Sequence, residues 1–241
     1  MLGKNQIKLI TGLRQKKFRD VERLFFAEGP KVVREFYQAG FELEKWFALK
    51  GCHIGGMPPA IEVSEGELGK ISALTTPNQC LAIYRIPSGL NLPKSRITVV
   101  LDDIRDPGNL GTIIRLCDWF GVTNLVCSKE SADIYNPKVV QATMGSLARV
   151  EVSYADLSAY ISGFEGEIIG TFMDGENLYE STFTENIAIV LGNEANGISS
   201  QIEKRCTRRI AIPRFGPLQK AESLNVATAA AVMLGELRRR E

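Results

Sequence analysis

The spacing of apolar positions changes period repeatedly along the chain, and each change predicts an element. Residues 4–17 read as a helix rich in cations and Leu24–Ala27 as a strand. Pro30–Gly40 reads as a helix with Pro in its first turn and Gly past its end. A strand over Lys45–Leu49, a helix near Glu65–Leu74 and a strand over Cys80–Ile86 complete a small α/β unit. A seam rich in Pro, Gly and Ser follows, SGLNLPKS at 88–95. Beyond it the strands read ITVVLDDI, NLVCS, RVEV, EIIGTFM, IAIVLGN and RRIAIP. The helical patterns between them read GNLGTIIRLCDWFG, KVVQATMG, DLSAYISG, SSQIEKRC and SLNVATAAAVMLGELRRR. Strands made almost wholly of Val, Ile and Leu, alternating with helices, predict an α/β fold whose mostly parallel sheet is covered on both faces. The pattern divides the chain into a smaller domain, 1–92, and a larger one, 93–241.

Composition narrows the class. Of 241 residues, 44% are hydrophobic and 24% charged, which suits a globular protein and excludes collagen-like, coiled-coil and disordered chains. No apolar run reaches the roughly 18 residues a membrane span needs. The first twenty residues lack the apolar core and cleavage site of a secretory signal, so a soluble cytoplasmic protein is expected. The five cysteines are odd in number and show no CxxC spacing, and His53 is the only histidine. Neither a disulfide framework nor a metal site is expected, and most cysteines read as core residues. His53 sits in the loop GCHIGGMPP with no hydrolase motif around it.

The net charge of +1 hides an asymmetry, since residues 1–93 carry 13 basic and 9 acidic groups while 94–241 carry 16 and 19. The cations are densest at the start, where Lys16, Lys17 and Arg19 stand among others. A polyanion such as nucleic acid would favour this cluster through counterion release; a solvated helix face is the plainer reading.

Ligands of parallel sheets sit beyond the carboxyl ends of the strands, so chemistry is sought there. The first such segment is LDDIRDPGNLGTIIRLCDWFGV, 101–122. Its glycines permit a tight turn, Asn109 is placed to cap the helix, and Arg115 lies among apolar neighbours. A buried guanidinium there needs an anion, either a ligand or one of Asp102, Asp103 and Asp106. The second segment, IAIVLGNEANGIS at 187–199, runs an apolar strand into a loop holding Gly192, Glu194 and Gly197. It is neither a Walker loop nor GxGxxG. In the third, 208–237, a strand ends at Ile212-Pro213 and Ser223 reads as the N-cap of an Ala-rich helix with Asn225 in its opening turn.

Together and in this order, DPGNLGTIIR, LGNEANG and IPRFG…SLNVATAAA resemble the motifs of the SpoU (TrmH-type) RNA ribose 2′-O-methyltransferases of the SPOUT class. FFAEGPKVVREF, EKWFALK and LTTPNQCLAIYRIP resemble the small substrate-binding domain that often precedes that catalytic domain. The resemblance implies a C-terminal trefoil knot, S-adenosyl-L-methionine held in it, and a homodimer, to which the Ala-rich helix would lend its close-packing face. Carried over by position, Gly192, Asn193, Gly197, Ile212, Leu224 and Thr171 would line the cofactor pocket. Asn109, Arg115, Glu194, Ser223 and Asn225 would form the polar site. The loop RFGPLQKAE departs from the family's short turn in its length and in the charges of Arg214, Lys220 and Glu222.

The implied reaction is methyl transfer to a ribose 2′-hydroxyl of structured RNA, with 23S ribosomal RNA preferred over tRNA because the small domain commonly accompanies ribosomal members. A guanidinium is too weak an acid to serve readily as a base, so Arg115 is expected to bind an RNA phosphate and favour the developing alkoxide. Asn109 and Asn225 would orient Arg115 and the ribose, and Glu194 would hold Arg115 or a substrate group. Lys16, Lys17 and Arg19 would grip RNA phosphates. A non-catalytic RNA-binding protein on the same fold and an unrelated nucleotide-binding enzyme are the rival readings.

Overall fold

The computed structural model describes all residues except 1, 91, 94, 219–222, 240 and 241. Its contacts separate two units, Met1–Leu90 with Asp133–Arg149, and Asn91–Ala132 with Val150–Glu241. Among the described residues no helix is long and apolar enough to cross a membrane.

In the first unit, β1 (Leu24–Glu28), β2 (Leu43–Ala48), β3 (Ile61–Glu62) and β4 (Cys80–Arg85) form a sheet in the order β1-β4-β2-β3. Alternate side chains of β1 serve opposite faces. Phe25 packs edge-on to Phe36 of α3 (Pro30–Gln38) and lies 4.8 Å from the Tyr135 ring. Phe26 joins Ile10 of α1 (Lys4–Gly12) and Leu68 of α4 (Glu65–Ile71) in the core of the other face. Covered on both faces, β1 is buried along its whole length.

The cationic helix expected over 4–17 is broken. α1 stops at Gly12 and α2 spans Lys16–Glu22, because Leu13 is wholly buried and the polar run after it offers no apolar position to hold a helical stripe. The segment after the sixth strand also differs from its expected place. Asp133–Arg149, with α6 (Pro137–Thr143) and a 3₁₀ turn at Ser146–Ala148, packs within the first unit, with α6 against β1.

The second unit holds β5 (Ile97–Asp102), β6 (Asn124–Ser128), β7 (Glu151–Ala155), β8 (Glu167–Asn177), β9 (Ile187–Gly192) and β10 (Arg208–Ala211). Every pairing in this sheet is parallel, in the order β10-β8-β9-β5-β6-β7. α5 (Pro107–Trp119) and α9 (Val226–Arg239) pack together, and α9 lies against β9. α7 (Leu157–Ser162) and α8 (Ser200–Glu203) pack with Val100, Val126 and Val190 in another core cluster. The central pair β5 and β9 is in register from Ile97↔Ile187 to Asp102↔Gly192, so the loops following these two strands emerge side by side.

Candidate active site

The loop after β5 is built by its own carboxylates. Asp102 accepts from the Ser199 amide at 2.8 Å, Asp103 pairs with Arg105 at 2.7 Å, and Asp106 caps α5 by accepting from the Asn109 amide at 2.8 Å. Asp106, with Pro107 in the first turn, therefore takes the capping role expected of Asn109. All three carboxylates are thus engaged elsewhere. Arg115 is exposed rather than buried, and no described residue bonds to its guanidinium. Among the described residues, no structural ion pair accounts for it.

The loop after β9 is a tight hairpin. The Gly197 amide donates to the Asn193 carbonyl at 2.8 Å, and Gly197 takes φ 68°, which favours glycine. A Cβ on Gly192 would lie 2.2 Å from backbone atoms of Gly197 and Ile198, so only glycine fits. The Asn193 side chain ties this hairpin to the β5 loop, donating to the Asp103 carbonyl at 2.8 Å and accepting from the amides of Ala195 and Asn196.

At the start of α9 it is Asn225, not Ser223, that caps. Its Oδ1 accepts from the amides of Ala227 at 2.9 Å and Thr228 at 3.2 Å. Those amides can only donate, so the Asn225 NH₂ faces outward, and it donates to Asn109 Oδ1 at 2.9 Å. The Asn109 NH₂ then donates to Glu194 Oε1. The start of α9 is thereby linked through two amides to a carboxylate, with every donor direction set by chemistry. Of the two partners expected for Glu194, Arg115 or a substrate group, the guanidinium is not bonded to it, and Asn109 is.

Glu194 also lines a cavity of about 790 Å³. Thr171, Gly192, Asn193, Gly197, Ile212 and Leu224 all line it, as does Ser223. Thr171 further donates to the Val190 carbonyl at 3.0 Å. Asn109 and Asn225 reach the cavity through Glu194, while Arg115 is not on its wall. The wall also carries Phe172, Met173 and Phe215, which sequence reasoning missed. Gly170 and Gly175, two glycines inside a strand pattern, were the available signal of an irregular strand there. Lys220 and Glu222 of the charged loop lie outside the described residues.

The first-unit candidates divide. Lys16 is exposed and paired with Asp20 at 2.7 Å, and exposed Lys17 lies 5.0 Å from the Phe18 ring. Arg19 is only 2% exposed, donating to the Leu13 carbonyl at 2.7 Å and pairing with Asp133, so it is a buried anchor and unavailable to phosphate. His53 is exposed in a loop of the same unit. Among the described residues no cluster of His, Cys, Asp or Glu is arranged to hold a metal.

Comparison with known proteins bears on both units. The SpoU rRNA Methylase family matches residues 96–235, and an MRM3-like substrate binding domain matches residues 4–82. The chain belongs to the SpoU rRNA methylase family. The SpoU match runs from β5 into α9 and so contains the three motifs DPGNLGTIIR, LGNEANG and IPRFG…SLNVATAAA. Over 98% of this chain and 97% of its relative, the sequence is 29% identical to 23S rRNA (guanosine(2553)-2′-O)-methyltransferase RlmP of Bacillus subtilis. A solved TrmH-family protein from Porphyromonas gingivalis is 38% identical, with a TM-score of 0.88 and full coverage of both chains. An rRNA methyltransferase from Sinorhizobium meliloti, solved with AdoMet bound, is 28% identical at a TM-score of 0.85, covering 100% of this chain and 96% of that one. The SpoU unit is therefore of the SPOUT type that the motifs imply.

Proposed function

We propose that this chain transfers a methyl group from S-adenosyl-L-methionine to a ribose 2′-hydroxyl of 23S ribosomal RNA in the cytoplasm. The observation that carries the reading is the chain Asn225–Asn109–Glu194, in which residues of all three family motifs meet on the wall of one cavity. Full-length similarity to RlmP supports the ribosomal target.

The cavity suits the cofactor. Its volume lies within the roughly 300–1,000 Å³ of small-molecule sites. Leu191, Ile210, Ile212, Val226 and Ala229 offer it apolar wall, while Gly192 brings bare backbone against the loop. When bound, S-adenosylmethionine supplies an electrophilic methyl carbon on a sulfonium. The protein's part is to hold the hydroxyl about 3 Å from that carbon and to stabilise the charge that develops on it. Arg115, exposed and unpaired among the described residues, is available for an RNA phosphate beside the target ribose. Glu194 is engaged by Asn109, and no bond between Glu194 and Arg115 ties up the guanidinium.

The trefoil knot belongs to the same reading. Its support is that the chain passes from edge strand β10 back to α9 against central strand β9. So does a homodimer, supported by Trp119, which stands 82% exposed at the end of α5. The Ala-rich helix is a poorer candidate for that interface than its sequence suggests, since Ala227, Ala230, Met233 and Leu234 are buried in their own unit. Light scattering should return twice 26.6 kDa, falling to the monomer mass on Trp119→Glu.

Tritium transfer from labelled cofactor to 23S RNA, beside mapping of 2′-O-methyls in cells with and without the gene, tests the reaction. Arg115→Ala should lower transfer by about a hundredfold or more while cofactor binding by calorimetry survives. A methyl missing only from tRNA would overturn the ribosomal target. No missing methyl would favour a non-catalytic RNA-binding protein.

A further inference from the structure

The register between β8 and β10 is broken in one place. Arg209 is paired with Gly170, but the next residue, Ile210, is paired with Glu176. Thr171 to Gly175 are thus displaced from the ladder as a five-residue excursion opposite two consecutive residues. Three of them, Thr171, Phe172 and Met173, line the cavity.

The two ends of the excursion are held by close packing. A Cβ on Gly175 would lie 2.6 Å from backbone atoms of Arg209 and Ile210, so the chain re-enters the sheet hard against β10. At the other end, a Cβ on Gly170 would lie 2.3 Å from the Phe172 ring. The space beside Arg209 that a side chain at 170 would occupy is filled by the Phe172 ring folding back. The Arg209 guanidinium carbon lies 3.6 Å from the centre of that ring, and the same guanidinium pairs with Asp174 of the excursion and Glu203 of α8.

We infer that Arg209 is a positioning residue for the cofactor cavity, pegging the Thr171–Gly175 excursion open by stacking on Phe172 and pairing with Asp174. A guanidinium suits this task because its flat face stacks on a ring while its edge donates to carboxylates. Lysine can keep the charge but not the stack. Glu203 anchors the peg from outside the excursion, so the wall is referred to α8. Arg209 lies outside the three motifs' polar chain and does not line the cavity. Its effect is therefore expected on cofactor affinity rather than on turnover. The inference rests on the cavity being the S-adenosylmethionine site.

The test uses the full chain and its Arg209→Ala and Arg209→Lys variants. Amide hydrogen exchange is read in the cofactor-free protein, with calorimetric binding of S-adenosylmethionine and steady-state kinetics beside it. Exchange should quicken at Thr171–Gly175 in Arg209→Ala while β5 and β9 stay protected. Affinity for S-adenosylmethionine should fall about tenfold, with kcat at saturating cofactor within about twofold of the parent. Arg209→Lys should fall between the two. Unchanged exchange at Thr171–Gly175, exchange that quickens equally across the sheet, or unchanged affinity despite a loosened excursion would each overturn the inference. If the parent chain itself binds no S-adenosylmethionine, the functional reading fails, and the inferred role of Arg209 at the cofactor site fails with it. The exchange data would then report only whether Arg209 holds the excursion.

Discussion

Asn225 does two jobs with two ends of one side chain, and substitutions separate them. Its oxygen caps α9 and its NH₂ orients Asn109. Asn225→Ala should lose both, costing about 1 kcal/mol of stability through the lost cap. Asn225→Asp keeps an acceptor for the cap but has nothing to donate to Asn109. It should therefore melt near the parent temperature and still lose most methyl transfer. An Asp variant as active as the parent would remove Asn225 from the polar site. Arg19 shows the opposite lesson about residue type: an arginine in a cationic run is here 2% exposed and paired with Asp133. Charge counted along a sequence does not distinguish an anchor from a grip.

At the scale of the element, caps and strand breaks set the positions that matter. The start of α4 is closed by a capping box in which Ser64 accepts from the Glu67 amide and Glu67 accepts from the Ser64 amide at 3.0 Å. Glu67 also accepts from the Leu2 amide at 2.8 Å. These backbone donors, Ser64 first and then Leu2, hold its carboxyl down at about 2. A depressed folded value means the contribution is complete above the ordinary carboxylate range and is lost as pH falls from that range toward about 2. Urea midpoints of the parent and Glu67→Gln should therefore converge on acidification and separate again above the ordinary range. Glu28 of β1 behaves in the reverse sense. Burial raises its carboxyl despite hydrogen bonds from Ser72 and Ala73, so its contribution weakens as pH rises through the raised value.

At the scale of the whole molecule, the division of the chain is not a single cut. Removing residues 1–92 takes away the sheet and helices against which 133–149 pack, including Phe25 beside Tyr135. Ile134, Val140 and Leu147, all buried in the complete chain, would lose that cover. A fragment of 93–241 should therefore bind a hydrophobic dye and aggregate. Replacing 133–149 in that fragment by a short Gly/Ser linker should restore solubility. A soluble, dye-silent 93–241 fragment would show that the segment is stable without the first unit.

Local sequence determined most of the elements. Strands such as Asn124–Ser128, and the starts of β5, β8, β9 and β10, stand where the apolar runs place them, because a strand buried on both faces must be apolar throughout. The three strand-end segments were legible for the same reason: each is where an apolar run breaks into Gly, Asn and acidic residues. Tertiary structure decided what depends on partners distant in sequence. It made Asp106 and Asn225 the caps and freed Asn109 to bond Glu194, 85 residues away. It left Arg115 exposed by engaging all three nearby aspartates elsewhere, and it buried Arg19 against an aspartate 114 residues on. It also bulged β8 at Thr171–Gly175, although the apolar run EIIGTFM reads as strand through Met173. A periodicity records which faces are covered, whereas a hydrogen bond or ion pair across the fold depends on which strands and loops become neighbours, and that is settled only when the sheet is assembled.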